Sequence, residues 1–124
     1  MKIINTKNAP AALGPYCQAI DTGNQLYISG ILGIDPSTGN LASDSIQGQT
    51  QQVFKNIDAI LSASGYSKQS VVKCTVFLAD LNDFAACNKI YADYFVNHKP
   101  ARACVQVAGM VKNAKVEIDV ICVK

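Results

Sequence analysis

The sequence predicts an α+β fold in which two helices pack on one face of a single mixed β-sheet, with the elements in the order βββαβαββ. Two segments carry apolar residues at helical spacing, and the segments around them are short, β-branched runs bounded by glycine, asparagine or proline. With 124 residues, residues 1–124 are most simply one domain around one core.

The N-terminal part predicts three strands, over residues 2–6, 16–21 and 25–31. The second and third flank Thr22-Gly23-Asn24, whose glycine and asparagine tolerate positive φ, and we therefore predict a hairpin. The loop 7–15 contains two prolines that limit its freedom. Gly30, at the end of the hairpin, either brings the backbone close to a ligand or serves only a bend.

Two amphipathic helices are predicted, over residues 46–64 and 83–96, and each has one apolar stripe, which in the second helix includes Phe84 and Tyr91. Ser45 or Ser43 is placed to cap the first helix, and Gly65 suits the position after its end. A β-branched run over residues 70–79 predicts a buried strand between the helices. Four glutamines of the first helix are predicted to form a solvated face: Gln47, Gln49, Gln51 and Gln52.

The last two strand-like runs contain the only arginine and the only glutamate of the chain, Arg102 and Glu117. Alternation places Arg102, Cys104 and Gln106 on one face of the first run, and Glu117 and its polar neighbours on one face of the second. The turn-like segment 109–114 predicts that the two runs pair as a hairpin. Their apolar faces must then coincide, so Arg102 and Glu117 are expected on one polar surface.

Two interpretations of this surface remain open from spacing alone. It is either a solvated sheet face with one cross-strand ion pair, which contributes about 0.2–1 kcal/mol, or a site that uses the guanidinium, the thiol and the carboxylate.

Composition excludes several classes of function. Hydrophobic residues make up 49% and charged residues 16% of the chain, and we infer that other copies of the chain cover part of its apolar surface. The net charge of +2 is scattered, which disfavours nucleic acid as a partner. Five cysteines without a CxxC pair indicate reduced thiols and a cytoplasmic protein. With one histidine, a zinc site is not expected, and no window is apolar enough for a membrane span.

Several motifs, in order along nearly the whole chain, resemble those of the RidA family of reactive-intermediate deaminases, also called YjgF-type proteins. They are GPYCQAI (14–20), LYISG (26–30), QTxxVFxNI (49–57), PARACVQV (100–107) and VEI (116–118). The resemblance implies a chorismate-mutase-like fold that forms a homotrimer with an inner barrel and clefts between subunits. It also implies hydrolysis of 2-imino and 2-enamino acids, such as 2-aminoacrylate and 2-iminobutyrate, to 2-oxo acids and ammonia, without a cofactor or metal.

The resemblance also assigns site residues. Arg102 is similar to the arginine that holds the substrate carboxylate, and Glu117 to the acid that positions the attacking water. The other positions that match the family's cleft are Tyr16, Ser29, Gly30, Asn88 and Cys104. One departure is Met110-Val111, where the family commonly has Leu-Pro, and it affects the expected geometry of that turn.

Two other functions compete with deamination. A non-enzymatic protein could use the same cleft to sense small 2-oxo or 2-imino acids, since family members are not all active deaminases. A ribonuclease or translation inhibitor is disfavoured because the chain has neither a basic stripe nor paired histidines. Cys104 lacks a histidine base in sequence, which favours a structural thiol over a nucleophile.

Overall fold

The computed structural model describes residues 1–124 as six strands and two α-helices, joined by loops and three short 3₁₀ turns. The helices are α1 (Ile46–Ser64) and α2 (Phe84–Tyr94), and the strands are β1 (Lys2–Ile4), β2 (Ala19–Asp21), β3 (Gln25–Leu32), β4 (Val71–Leu78), β5 (Ala101–Gln106) and β6 (Val116–Val123). The order is βββαβαββ, which confirms the predicted succession of elements.

All six strands form one mixed sheet in the order β1-β2-β3-β6-β4-β5. β4 and β5 run parallel, and the other neighbouring pairs are antiparallel. The segment β4-α2-β5 is therefore a crossover unit, in which a helix returns the chain to the same end of the sheet. This architecture confirms the predicted α+β class.

The predicted hairpin between the last two strands is wrong. β4 lies between β5 and β6, with Cys74 in register with Arg102 on one side and with Val120 on the other. The connecting segment 107–115 passes the end of β4: Val107 N–H donates to Leu78 O, and Lys115 O accepts from Ala79 N–H. The turn residues of this segment therefore belong to a connection that crosses the end of β4, and not to a tight hairpin between β5 and β6.

Both helices cover the face of the sheet that carries Cys74, Val76, Ile118 and Val120. These side chains belong to a core cluster of 24 buried residues. The cluster also includes the apolar stripe of α1, Cys87 and Tyr91 of α2, and Phe95, which directly follows α2. The helices meet each other through Phe54, whose ring centroid lies 4.2 Å from that of Tyr94. Burial of the two stripes is the main contribution that holds the helices on this face.

The ends of α1 agree with the sequence, but one of its glutamines does not. Ser45 Oγ accepts a hydrogen bond from Gly48 N–H at 3.0 Å, and Gly65 ends the helix with φ 75°. Gln47 and Gln51 are exposed, as predicted. Gln49 is buried instead, because its amide donates to Ser43 O at 3.0 Å and accepts from Lys115 N–H at 2.8 Å.

The opposite face of the sheet is partly open and carries apolar side chains among charged ones such as Glu117. Tyr27 and Val105 are each 44% exposed there, and Phe77 and Ile121 are half-buried. That so much apolar surface is uncovered agrees with the expectation that copies of the chain pack through this face. The trimer itself stays a prediction.

The first hairpin is confirmed, and its first strand, β2, is shorter than predicted. β2 pairs with β3 around Gly23, whose φ is 112°. The loop before β2 is organised by Gln18, a buried side chain whose amide donates to Thr6 O, Ala9 O and Pro10 O and accepts from Thr6 N–H. Neither helix is long and apolar enough to cross a bilayer.

Candidate active site

Arg102 lies at the edge of the sheet, on the face that α2 covers. Its register with Cys74 sends the side chain towards the helix, where Nη1 donates to Asn88 Oδ1 at 2.8 Å. This is the one hydrogen bond that the guanidinium makes within the chain, so most of its five N–H donors are unpaired. The group is exposed and can offer a planar, positively charged fork to a carboxylate.

Cys104 lies on the same face, two residues further along β5. Its side chain is half-buried. Burial raises the pKa of the thiol, and the nearby Arg102 charge offsets this to a smaller extent. A raised pKa keeps the sulfur protonated at neutral pH, which favours the predicted structural role over that of a nucleophile.

Glu117 lies on the opposite face, where β6 meets an irregularity of β3. The register of the two strands shifts between Ile28 and Ile31, and this brings Gly30 directly under the carboxylate. A Cβ atom at Gly30 would lie only 2.6 Å from Glu117 Oε2. Gly30 thus makes room for the carboxylate, and a side chain at this position would force Glu117 to move. The approach seen here is to Glu117, so an approach of the Gly30 backbone to a ligand stays a prediction.

The environment of Glu117 favours its protonated form. Burial raises the pKa of the carboxyl group above its usual value of 4.5, and the charge of Asp119 raises it further. No cation or hydrogen-bond donor of the chain lowers it. A carboxyl group with a raised pKa is suited to accept a proton and return it.

A small cleft lies beside Gly30. Tyr16, Ser29 and Gly30 line it together with apolar side chains, and its volume is about 30 Å³. Ser29 Oγ donates to Cys17 O at 2.7 Å, and the Tyr16 hydroxyl accepts from Leu13 N–H at 3.0 Å. A volume of this size holds about one water molecule, and neither Arg102 nor Glu117 is among the residues that line the cleft.

The structure thus divides the predicted site residues into two groups. Asn88, Arg102 and Cys104 form one group on the helix-covered face. The other group lies around the β3 irregularity and consists of Tyr16, Ser29, Gly30 and Glu117.

The expectation that Arg102 and Glu117 share one polar surface is wrong within a single chain. Arg102 is in register with Val120, which is three residues from Glu117 along β6 and two strands away from β5. Strand spacing and rise then separate the two Cα atoms by about 14 Å, with the sheet between the side chains. The insertion of β4 between β5 and β6 is the cause, because it sets the polar side of β5 on the same face as the apolar side of β6.

Sequence reasoning missed Gln18, the side chain that orders the loop leading to Tyr16. Polar residues inside a strand-like run are usually assigned to the solvent side, and nothing in the spacing distinguished this one. The available signal was the two prolines and several small residues near Gln18, since a loop of this kind has many backbone groups that need hydrogen-bond partners.

No group of three or more His, Cys, Asp or Glu side chains is arranged to hold a metal ion.

Comparisons with known proteins find relatives along the whole chain. A family model described as Endoribonuclease L-PSP matches residues 6–124. The chain is 52% identical over 120 residues to Reactive Intermediate Deaminase A, chloroplastic, of Arabidopsis thaliana, an alignment that covers 97% of this chain and 64% of that protein. It is 46% identical over 123 residues to 2-iminobutanoate/2-iminopropanoate deaminase of Mus musculus, covering 99% and 91% of the two chains. The crystal structure of RidA from an Antarctic Psychrobacter superposes with a TM-score of 0.97 at 46% identity, over 100% of both chains.

Proposed function

Since this chain belongs to the RidA (YjgF-type) family, we propose that it hydrolyses reactive 2-imino and 2-enamino acids to 2-oxo acids and ammonia. Relatives named as deaminases of this kind support the general reaction, and 2-iminobutyrate and 2-aminoacrylate are the proposed substrates. The observation that carries the proposal is that the single guanidinium of the chain is held by Asn88 with its other donors unpaired.

Arg102 is proposed to bind the substrate carboxylate. Its free N–H donors match the two oxygens of a carboxylate, and charge-assisted bonds of this kind contribute about 1.5–3 kcal/mol each. The clamp places C2 of the imino acid at a fixed distance from the guanidinium.

Glu117 is proposed to act as the general base and then as the general acid. As base, it accepts a proton from the water that attacks C2 of the imine. It then gives this proton to the imine nitrogen, which completes a carbinolamine. The carbinolamine hydroxyl passes its proton through the same carboxylate to the nitrogen, the C–N bond breaks as the C=O bond forms, and ammonia and the 2-oxo acid are released. General acid–base catalysis contributes about 10²- to 10⁴-fold, and the raised pKa of Glu117 brings its two protonation states closer together in energy.

The two halves are proposed to meet between neighbouring subunits of a homotrimer. The Arg102 side of one copy would face the Glu117 side of the next, with Tyr16, Ser29 and Gly30 closing the cleft. The small single-chain cleft supports this arrangement because neither Arg102 nor Glu117 lines it. The exposed apolar side chains on the open face of the sheet support it as well.

The decisive experiment measures the loss of 2-iminobutyrate, generated in situ from the amino acid by an amino-acid oxidase. Removal of the clamp in Arg102→Ala is expected to lower kcat/KM roughly 10- to 100-fold. Arg102→Lys should restore little of it, because an ammonium lacks the planar fork. Lys55→Ala removes an exposed cation on α1 and serves as the control. Full activity in Arg102→Ala would refute the carboxylate clamp.

Sensing of 2-oxo acids without catalysis is the first competing function. Titration with 2-oxobutyrate beside the turnover assay separates the two. Binding that depends on Arg102, together with no acceleration of imine hydrolysis, would favour the sensor.

The description of the matched family names an endoribonuclease, which is the second competing function. A net charge of +2 without a basic stripe gives RNA little to bind. RNA cleavage that falls steeply with added salt and is lost in Arg102→Ala would revive this function.

A further inference from the structure

Three side chains of α2 contact the guanidinium of Arg102, and they stand at positions i, i+4 and i+7 of the helix. Asn88 accepts its hydrogen bond at 2.8 Å. The guanidinium carbon lies 4.6 Å from the ring centroid of Tyr91 and 5.6 Å from that of Phe84. Residues at this spacing share one face of a helix, so a single face of α2 forms the whole support of the arginine.

We propose that Tyr91 and Phe84 are positioning residues, whose rings hold the Arg102 guanidinium in the orientation that binds the substrate carboxylate. This inference rests on the proposed function. It adds to that function two aromatic residues for which the sequence indicated only core packing.

The chemistry of the contact suits this role. A carboxylate partner would hold an arginine firmly, but it would also occupy the N–H donors and neutralise the charge that the substrate requires. An aromatic face attracts the cation through its π electrons and uses none of those donors. The amide of Asn88 takes one N–H and carries no charge. The support therefore fixes the group while leaving its charge and most of its donors available.

Tyr91 is also rigid enough to serve as a platform. It is 8% exposed, and its ring packs against Phe95 and Phe54 at centroid distances of 4.9 and 5.9 Å. Its buried hydroxyl lies beside the Cys74 thiol, a weak partner, and has no stronger hydrogen bond, so the ring is held mainly by packing. Arg102, in contrast, is an exposed side chain on an edge strand, and without a platform its long side chain would sample many rotamers.

Arginine NMR tests the platform directly, because the chain has one arginine and so gives one side-chain Nε–Hε signal. In the wild-type protein we expect this signal to be shifted by ring currents and to show the relaxation of an ordered group. Tyr91→Phe keeps the ring and should preserve both properties. Tyr91→Leu should move the signal towards that of a free arginine and make it mobile. Tyr94→Leu is the matched control, since Tyr94 belongs to the same aromatic cluster without contacting Arg102.

Kinetics with 2-iminobutyrate then test the functional consequence. Tyr91→Leu is expected to raise KM roughly 3- to 30-fold, the range of a cation–π contact, with kcat within about twofold. Phe84→Leu should raise KM less, about two- to fivefold, because the contact is longer. Phe84 is 39% exposed, so this variant keeps the test valid if Tyr91→Leu fails to fold. Tyr91→Phe and Tyr94→Leu should leave KM within about twofold.

The proposal is supported if KM rises and the Arg102 signal becomes mobile in Tyr91→Leu, with a smaller rise of KM in Phe84→Leu, while Tyr91→Phe and Tyr94→Leu behave like the wild-type protein. An unchanged signal, or a mobile signal with unchanged KM, overturns it. If the wild-type protein does not turn over the imine, the dissociation constant of 2-oxobutyrate replaces KM. If the wild-type protein neither reacts nor binds, the proposed function and the assigned role of the rings both fail, whereas the NMR comparison still establishes what holds the guanidinium.

Discussion

Arg102 and Glu117 lie on opposite faces of the sheet, about 14 Å apart by strand spacing and rise. No rotamer change can bring them together within one chain, so a site that uses both must take them from two copies. Arg102→Ala and Glu117→Gln should therefore complement each other. Each variant alone lacks one half of every site, while a mixed oligomer contains some sites with both halves intact.

The magnitude follows from random mixing. In an oligomer refolded from equal amounts of the two variants, the arginine side of a site is intact in about half of the cases, and so is the glutamate side. About one quarter of the sites are then complete. The parents should show at most about one tenth of wild-type kcat/KM, given the loss of the clamp or of acid–base catalysis. The mixture should thus be clearly more active than either parent.

A second mixture serves as the control. Wild-type chains refolded with an equal amount of the double variant should retain about one quarter of full activity if the site is shared, and about half if it lies within one chain. Imine turnover before and after joint refolding gives both numbers. If the two single variants fail to complement each other and the control retains half of full activity, the shared site is refuted.

Three further variants test individual contacts. Gly30→Ala should displace the Glu117 carboxylate, 2.6 Å from the new Cβ, and lower kcat/KM about 10²-fold; Gly109→Ala, whose Cβ meets nothing within 4 Å, should have no effect in the same assay. Glu117→Gln should raise the free energy of unfolding in urea at pH 7. Because folding raises the pKa of Glu117, its ionisation destabilises the wild-type protein as the pH rises above the pKa of the unfolded chain. The variant lacks this cost, and its advantage should disappear below about pH 4, where Glu117 is protonated in both states. An advantage that grows at low pH would contradict this. Gln49→Ala should cost about 1–3 kcal/mol in urea unfolding by leaving Lys115 N–H and Ser43 O without their partner, whereas the exposed Gln47→Ala should stay within about 0.5 kcal/mol; equal effects would contradict the role of Gln49.

The succession of elements could be predicted because each one depends on local signals. The stripe, the serine cap and the C-terminal glycine of α1 all agree with one another, and agreement across signals is what makes a local prediction firm. The faces of β5 and β6 also followed from alternation. The buried Gln49 did not, because its partners lie at Ser43 and beside Lys115, and the second of these is 66 residues away.

The neighbours of β5 could have been predicted from a signal that local turn chemistry obscured. A strand, a helix and a strand in succession favour parallel pairing, with the second strand next to the first. With β5 paired to β4, β6 could pair either with the free edge of β5 or with the other side of β4. It takes the second position, and the connection 107–115 therefore crosses the end of β4. The turn residues of this connection indicate a change of direction but not how many strands it passes.

The candidate site was harder to predict because its parts are related through strand order and, in the proposed assembly, through a second copy of the chain. Uniqueness identified Arg102 and Glu117, and alternation assigned each to a face of its own strand. Which face of β5 coincides with which face of β6 is decided by β4, a strand that contributes no site residue.

Tyr91 shows the same limit on a smaller scale. Helical spacing placed its ring on the inward stripe, and the ring is indeed buried, but the same spacing could not show that a guanidinium lies over it. Periodicity reports which side of an element a residue occupies, and the partner on that side depends on contacts from distant parts of the sequence.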